Sequence, residues 1–314
     1  MKLGFLYAGQ GSQRVGMGRD LYEQYPAFRT VFDSASLSFD LKSVCFDGPE
    51  EILNQTRYTQ PCMVAFAAGV TAVLREQGIT PDIAAGLSLG EYSALYAAGV
   101  FNAMTAIELV AFRGEAMEKA SAGIDCAMMA VLGIARGPLL EACREARSLG
   151  VVEISNYNCP GQLVLGGETA AVEAAAKRAM ELGAKRCRPL KVSGPFHTPL
   201  LSPAGDALRE RFQTVHFGVP QIPVVFNCLG AQMSASDTIP ALLEKQVQSS
   251  VYMEDSIRAM AAAGVDAFVE IGPGKVLSGF VRKTTPEIPA FAVDNAEDLM
   301  ALPEKLASVG KEHV

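Results

Sequence analysis

The chain has 314 residues, 49% of them apolar, which is enough to bury one large core or two modest ones. A formal net charge of −7 argues weakly against nucleic acid as the main partner, and no apolar run reaches the roughly 20 residues that span a bilayer. Seven scattered cysteines without a C-x-x-C pair indicate neither a disulfide framework nor a zinc site, and free thiols in a reducing cytosol are the simplest account.

Residues 2–7 read as a buried first strand. That is a better reading than the start of a signal peptide, because the chain turns polar and glycine-rich at Gly9-Gln10-Gly11 before a long apolar region develops. A loop follows over 9–18, then helical pattern from Asp20 and a long, largely buried helix over 60–77. A short apolar strand at 82–87 runs into Ser88, with helices over 89–98 and 102–121 behind it. The middle has a different rhythm: strand 126–133, helix 138–147, strands 151–157 and 161–166, helix 170–182 and strand 185–192. That β-α-β-β-α-β order predicts a small ferredoxin-like domain over 125–194, inserted into a larger domain built from 1–124 and 195–314. In the larger part, helix 200–212, strand 224–227, helices 239–247 and 253–263 and strand 267–271 complete an α/β architecture with a central parallel sheet.

Gly86-Leu87-Ser88-Leu89-Gly90 is a G-x-S-x-G pentapeptide between a predicted strand and a predicted helix. A serine at the tip of so sharp a turn needs neighbours without a Cβ, and the helix that follows aims its first amides at the site. The competing reading is a tight glycine turn with a bystander serine. A serine nucleophile needs a base, and the chain offers three histidines. His313 is penultimate, and His216 lies in Thr214-Val215-His216-Phe217, whose alternation suggests a strand or its edge. His197 sits in the Gly/Pro-stiffened loop Ser193-Gly194-Pro195-Phe196-His197-Thr198-Pro199 at the predicted domain junction, which makes it the candidate base. Read from the residues alone, Arg113 is better explained by an ion pair with Glu115 or a distant acid than by a ligand.

Two tempting motifs fail. Gly9-Gln10-Gly11-Ser12-Gln13-Arg14 has arginine where a dinucleotide fingerprint needs its third glycine, and Gly272-Pro273-Gly274-Lys275 lacks the upstream glycine of a phosphate loop and is followed by Val276. No bound nicotinamide and no NTPase activity are expected.

With these blocks in order, the chain closely resembles the malonyl-CoA:acyl carrier protein transacylases almost end to end. The resemblance is carried by Gly9-Gln10-Gly11-Ser12-Gln13, the elbow with Glu91-Tyr92, Arg113-Gly114, Asn156-Tyr157-Asn158-Cys159-Pro160-Gly161-Gln162, Gly194-Pro195-Phe196-His197, Gln246 and the run from Glu270 to Leu277. It implies an α/β-hydrolase-like large domain and a ping-pong acyltransferase of fatty acid biosynthesis; the alternatives are a trans-acting acyltransferase of a polyketide-type assembly line and a serine hydrolase or thioesterase. In such an enzyme Ser88 carries the malonyl group, His197 moves the protons, the amides of Gln10 and Leu89 bind the oxyanion, and Arg113 grips the free carboxylate. It further implies that Asn158, Phe196 and Met117 line the acyl site and that the backbone carbonyl of Gln246 orients His197.

The substrates implied are malonyl-CoA and the phosphopantetheine thiol of an acyl carrier protein. No permanently bound cofactor or metal, no nucleic acid and no membrane are implied, and a cytoplasmic monomer is expected. Where most relatives carry histidine before the serine, this chain has Leu87; bulky Leu89 and Phe196 fit malonyl selectivity. Basic residues Lys185, Arg186, Arg188, Lys191, Lys275, Arg282 and Lys283 are candidates for docking an acidic carrier protein.

Overall fold

The computed structural model describes residues 1–309, so His313 lies outside the described residues. It resolves into two compact units, one of residues 1–114, 216–226 and 256–309, the other of 115–215 and 227–255.

The first unit is built on parallel strands β1 (Leu3–Tyr7), β2 (Ile83–Gly86), β7 (Val224–Phe226), β9 (Ala267–Ile271) and β10 (Ala290–Val293), in the order β10-β9-β1-β2-β7. All five residues of β1 are buried, as expected of a parallel strand covered on both faces. The register pairs Tyr7 with Gly86 on one side and with Ile271 on the other. The three strands therefore end level, and the loops after β1, β2 and β9 emerge side by side. Ligands bind at such carboxyl ends in open parallel sheets.

The second unit contains the antiparallel sheet of β3 (Cys126–Leu132), β4 (Val152–Cys159), β5 (Gln162–Glu168) and β6 (Arg186–Pro189), ordered β4-β5-β3-β6; β8 (Ala231–Gln232) is a two-residue strand. Helices Arg136–Ala146 and Thr169–Glu181 cover one face, where Val131, Ile154, Leu163 and Leu165 meet Leu139, Ala142, Ala175 and Ala179. This unit reaches beyond the 125–194 segment for a physical reason. Segment 227–255 pairs with β4: the Tyr157 amide donates to Val251 O and the Val251 amide to Ser155 O, while within the segment the Tyr252 amide donates to Asn227 O. Arg136 reinforces the join, with Glu254 at 3.1 Å, Asp255 at 2.8 Å and its guanidinium over the Tyr157 ring.

Several sequence expectations change. The alternation at 214–217 forms no strand, and His216 is exposed in irregular chain. The long helix begins earlier than expected, at Thr56, and β6 stops at Pro189. Strand β10 and helices Val276–Thr284 and Ala296–Val309 extend the first unit past the last element read from the sequence. Among the described residues no helix is long and apolar enough to cross a membrane, and no group of three or more His, Cys, Asp or Glu side chains is arranged to hold a metal ion.

Candidate active site

Ser88 follows β2 at a turn into helix Gly90–Ala97, with φ of 55°. Both elbow glycines are sterically required. A Cβ on Gly86 would run into the backbone of Gly90, and one on Gly90 into the carbonyl of Tyr7 in β1. Leu87 donates its amide to Tyr7 O, and its side chain lies against Gly9, where a Cβ would meet both the Leu87 carbonyl and its side chain. Leu87 therefore packs the loop that carries Gln10. The Gln10 side chain donates to Thr56 Oγ1 at 3.2 Å. Neither the Gln10 nor the Leu89 backbone amide has a hydrogen-bond acceptor among the described residues. Two such donors, one on the loop after β1 and one at the start of a helix, are the kind of group that stabilises an oxyanion.

Arg113, in helix Ala103–Ser121, is the largest fully buried side chain among the described residues. Its Nη2 donates to Ser88 Oγ at 3.0 Å and its Nη1 to Gln60 Oε1 at 2.8 Å, while the guanidinium lies over the Tyr92 ring at 5.8 Å. Burial pulls the guanidinium below its ordinary pKa, and Tyr92 and Glu91 oppose that shift. The same burial pushes the Tyr92 hydroxyl well up. An ion pair with Glu115 is not what the structure places on Arg113; the guanidinium reaches the nucleophile candidate instead. Gln60 was not singled out in the sequence. It closes the polar first turn Thr56-Arg57-Tyr58-Thr59-Gln60 of helix Thr56–Glu76, just before the apolar run from Pro61, a placement with no distinctive signal.

In the second unit His197 has φ of 59°. It and Ser88 are the non-glycine residues with positive φ among the described residues, and such strain gathers at functional positions. The turn around His197 is closed by Thr198 Oγ1 donating to Pro195 O at 2.6 Å. Gly194 packs so tightly against Ser121 that a Cβ there would collide with its hydroxyl. His197 Nδ1 lies 2.9 Å from Gln246 O. A carbonyl only accepts, so Nδ1 carries the proton and Nε2 is the basic nitrogen. Gln246 is the penultimate residue of helix Ile239–Val247, so its carbonyl belongs to the last turn, where no amide of the helix answers it. The negative end of the helix dipole there also favours a charged imidazole. Asn158 in β4, Phe196 and Met117 are all buried in this unit, and Asn158 Oδ1 has no hydrogen-bond partner among the described residues.

A family model described as an acyl transferase domain matches residues 4–306. The chain is 42% identical over 301 residues to the malonyl CoA-acyl carrier protein transacylase of Bacillus subtilis, covering 95% of each chain. Among solved structures it superposes on MCAT from Streptococcus pneumoniae with a TM-score of 0.92, at 47% identity over 97% of this chain and 100% of that one. A third relative is PlMCAT, solved with AntF, a type II PKS acyl-carrier protein. The TM-score is 0.93 and the identity 37%, with 97% of this chain and 100% of that one covered. Elbow, buried arginine and near full-length likeness agree: the chain belongs to the acyl transferase domain family, among the malonyl CoA-acyl carrier protein transacylases.

Proposed function

We propose that this acyltransferase moves a malonyl group from malonyl-CoA to the phosphopantetheine thiol of an acyl carrier protein, through a malonyl ester on Ser88, in fatty acid biosynthesis. The observation that carries the reading is the fully buried Arg113 hydrogen-bonded to Ser88 Oγ. A buried cation beside a strained serine suits an acyl group that ends in an anion.

In the first half-reaction His197 Nε2 takes the Ser88 hydroxyl proton as Oγ attacks the thioester carbonyl. The amides of Gln10 and Leu89 donate to the resulting oxyanion, and Arg113 holds the distal carboxylate. Collapse breaks the C–S bond, and His197 returns the proton to the departing CoA thiolate, which leaves as the thiol and restores the neutral imidazole. The second half-reaction runs this sequence backwards, with the pantetheine thiol as nucleophile and Ser88 as leaving group. Gln246 O holds the imidazole in the tautomer that both halves need. Asn158, Phe196 and Met117 line the acyl site. The CoA thioester is itself the activated donor, so no bound cofactor is required, and we place the enzyme in the cytoplasm as a monomer.

For the carrier protein, support comes from Lys185, Arg186, Arg188 and Lys191, which are exposed along and beside β6. Arg188 and Lys191 flank a cavity of about 580 Å³ with apolar walls from Ala130, Leu132 and Leu190. Lys275, Arg282 and Lys283 are exposed on the first unit and are read as part of the same electrostatic attraction. The sheet order β4-β5-β3-β6 with two helices on one face supports reading 125–194 as a ferredoxin-like domain, and the parallel sheet of the first unit is read as the centre of an α/β-hydrolase-like one. The decisive experiment is intact mass spectrometry after incubation with malonyl-CoA. We expect a malonyl adduct on the wild type, absent from Ser88→Ala and discharged by holo carrier protein. An adduct persisting on Ser88→Ala would overturn the assignment.

A further inference from the structure

We infer that Gln60 is a specificity-determining positioning residue, whose neutral amide fixes the Arg113 fork without neutralising its charge. The site then favours acyl thioesters that end in a carboxylate. This rests on the reading of Arg113 as the clamp for the acyl carboxylate.

Helix Thr56–Glu76 meets helix Ala103–Ser121 backbone to backbone at Gly114, where an added Cβ would lie 2.7 Å from Arg57 Cα and 2.8 Å from Thr56 O. Only glycine permits that approach, and it brings the first turns of the long helix up to Arg113. Thr56 and Gln60 are four residues apart and share one face of that helix. Thr56 accepts from the Gln10 side chain, and Gln60 accepts from Arg113 Nη1. One rigid face thus registers both the loop of Gln10 and the guanidinium.

The chemistry of residue 60 then matters. Tyr92 and Glu91 act on the guanidinium from the elbow helix, and Gln60 holds it from a different helix. An apolar side chain at 60 would strip Nη1 of the acceptor that aims Nη2 at Ser88. A carboxylate at 60 would hold the fork equally well but compete with the malonyl carboxylate for the same cation. An amide does neither: it orients the fork and adds no negative charge to the Glu91 that already acts on it.

The test compares malonyl-CoA and acetyl-CoA as donors, reading kcat and KM separately per titrated active site. The enzymes are wild type, Gln60→Glu, Gln60→Met and Arg113→Ala, each checked by thermal melting. In Gln60→Glu the malonyl-to-acetyl ratio of kcat/KM should fall by about tenfold or more, mainly through the malonyl KM. Gln60→Met should move the ratio in the same direction, and either variant alone decides if the other does not fold. Equal losses on both donors would reduce Gln60 to a structural residue, and an unchanged ratio would likewise overturn the inference. Arg113→Ala separates the two layers. If it retains malonyl preference the clamp itself fails; if it loses the preference while the Gln60 variants keep it, only the role of Gln60 fails.

Discussion

Replacing Arg113 with alanine asks how much of the acyl selectivity resides in one buried cation. The structure sets the magnitude. A malonyl carboxylate that takes the place of Ser88 Oγ at Nη2 gains a charge-assisted hydrogen bond, worth about 1.5–3 kcal/mol. Viewed as Coulomb attraction, unit charges about 4 Å apart at an effective dielectric near 20 give about 4 kcal/mol. The two figures describe one contact, so they overlap and are not summed. Arg113→Ala should therefore lower kcat/KM for malonyl-CoA by about 2–4 kcal/mol, or roughly 30- to 1,000-fold. Acetyl-CoA has no carboxylate to lose and should fall far less, so that preference between the donors narrows or reverses. The measurement is the rate of Ser88 acylation by rapid quench and intact mass, with each donor varied under single-turnover conditions. A melting curve must accompany it, since the truncation also leaves Gln60 Oε1 without this donor and opens a cavity. A folded variant that acylates as selectively as wild type would refute the clamp and the electrostatic reasoning together.

Other expectations follow from single contacts. Gly86→Ala should abolish acylation and lower the melting temperature, because its methyl would occupy the space of the Gly90 backbone; a folded, active variant would contradict the elbow geometry. Glu270 is buried in β9 and accepts from the Leu277 and Ser278 amides, and burial raises its pKa despite those bonds. A raised folded-state pKa means that its contribution to stability is fully present below the ordinary glutamate range and is lost as pH climbs through the folded value. The melting temperature of wild type relative to Glu270→Gln should accordingly decline from about pH 4 to about pH 8, and a rise would show the wrong sign. Arg188→Glu with Lys191→Glu should weaken transfer to the carrier protein and flatten its salt dependence, while leaving acylation by malonyl-CoA unchanged; equal loss in both half-reactions would argue against docking at β6.

Local steric and periodic rules carried much of the fold. The first parallel strand is a continuous apolar run, the elbow needs two glycines within five residues, and the β-α-β-β-α-β rhythm follows from hydrophobic period. Each is a short-range constraint that composition alone satisfies. The same short-range reasoning misread 214–217, where Thr214 and Val215 turn off the end of helix Ser202–Phe212, their amides donating to Arg211 O and Phe212 O, and irregular chain follows. It also missed β10, whose four residues carry too little pattern.

The long-range joins were out of reach. Nothing in residues 227–255 announces that Val251 pairs with β4, and a backbone carbonyl such as that of Gln246 can be supplied by any residue type. Its role was available only from the family resemblance. The sequence by itself determined that a strained serine would stand at a strand end and that few histidines compete to serve it. Only tertiary structure decided the partner of Arg113. Read in isolation, a lone arginine in an apolar helix points to an ion pair with Glu115 or a distant acid; packed at Gly114 against helix Thr56–Glu76, it reaches Ser88 and Gln60, and the acid acting on it is Glu91 of the elbow helix. The reason is physical: burial removes water as the default partner of a guanidinium, and what replaces it depends on which helices come within reach.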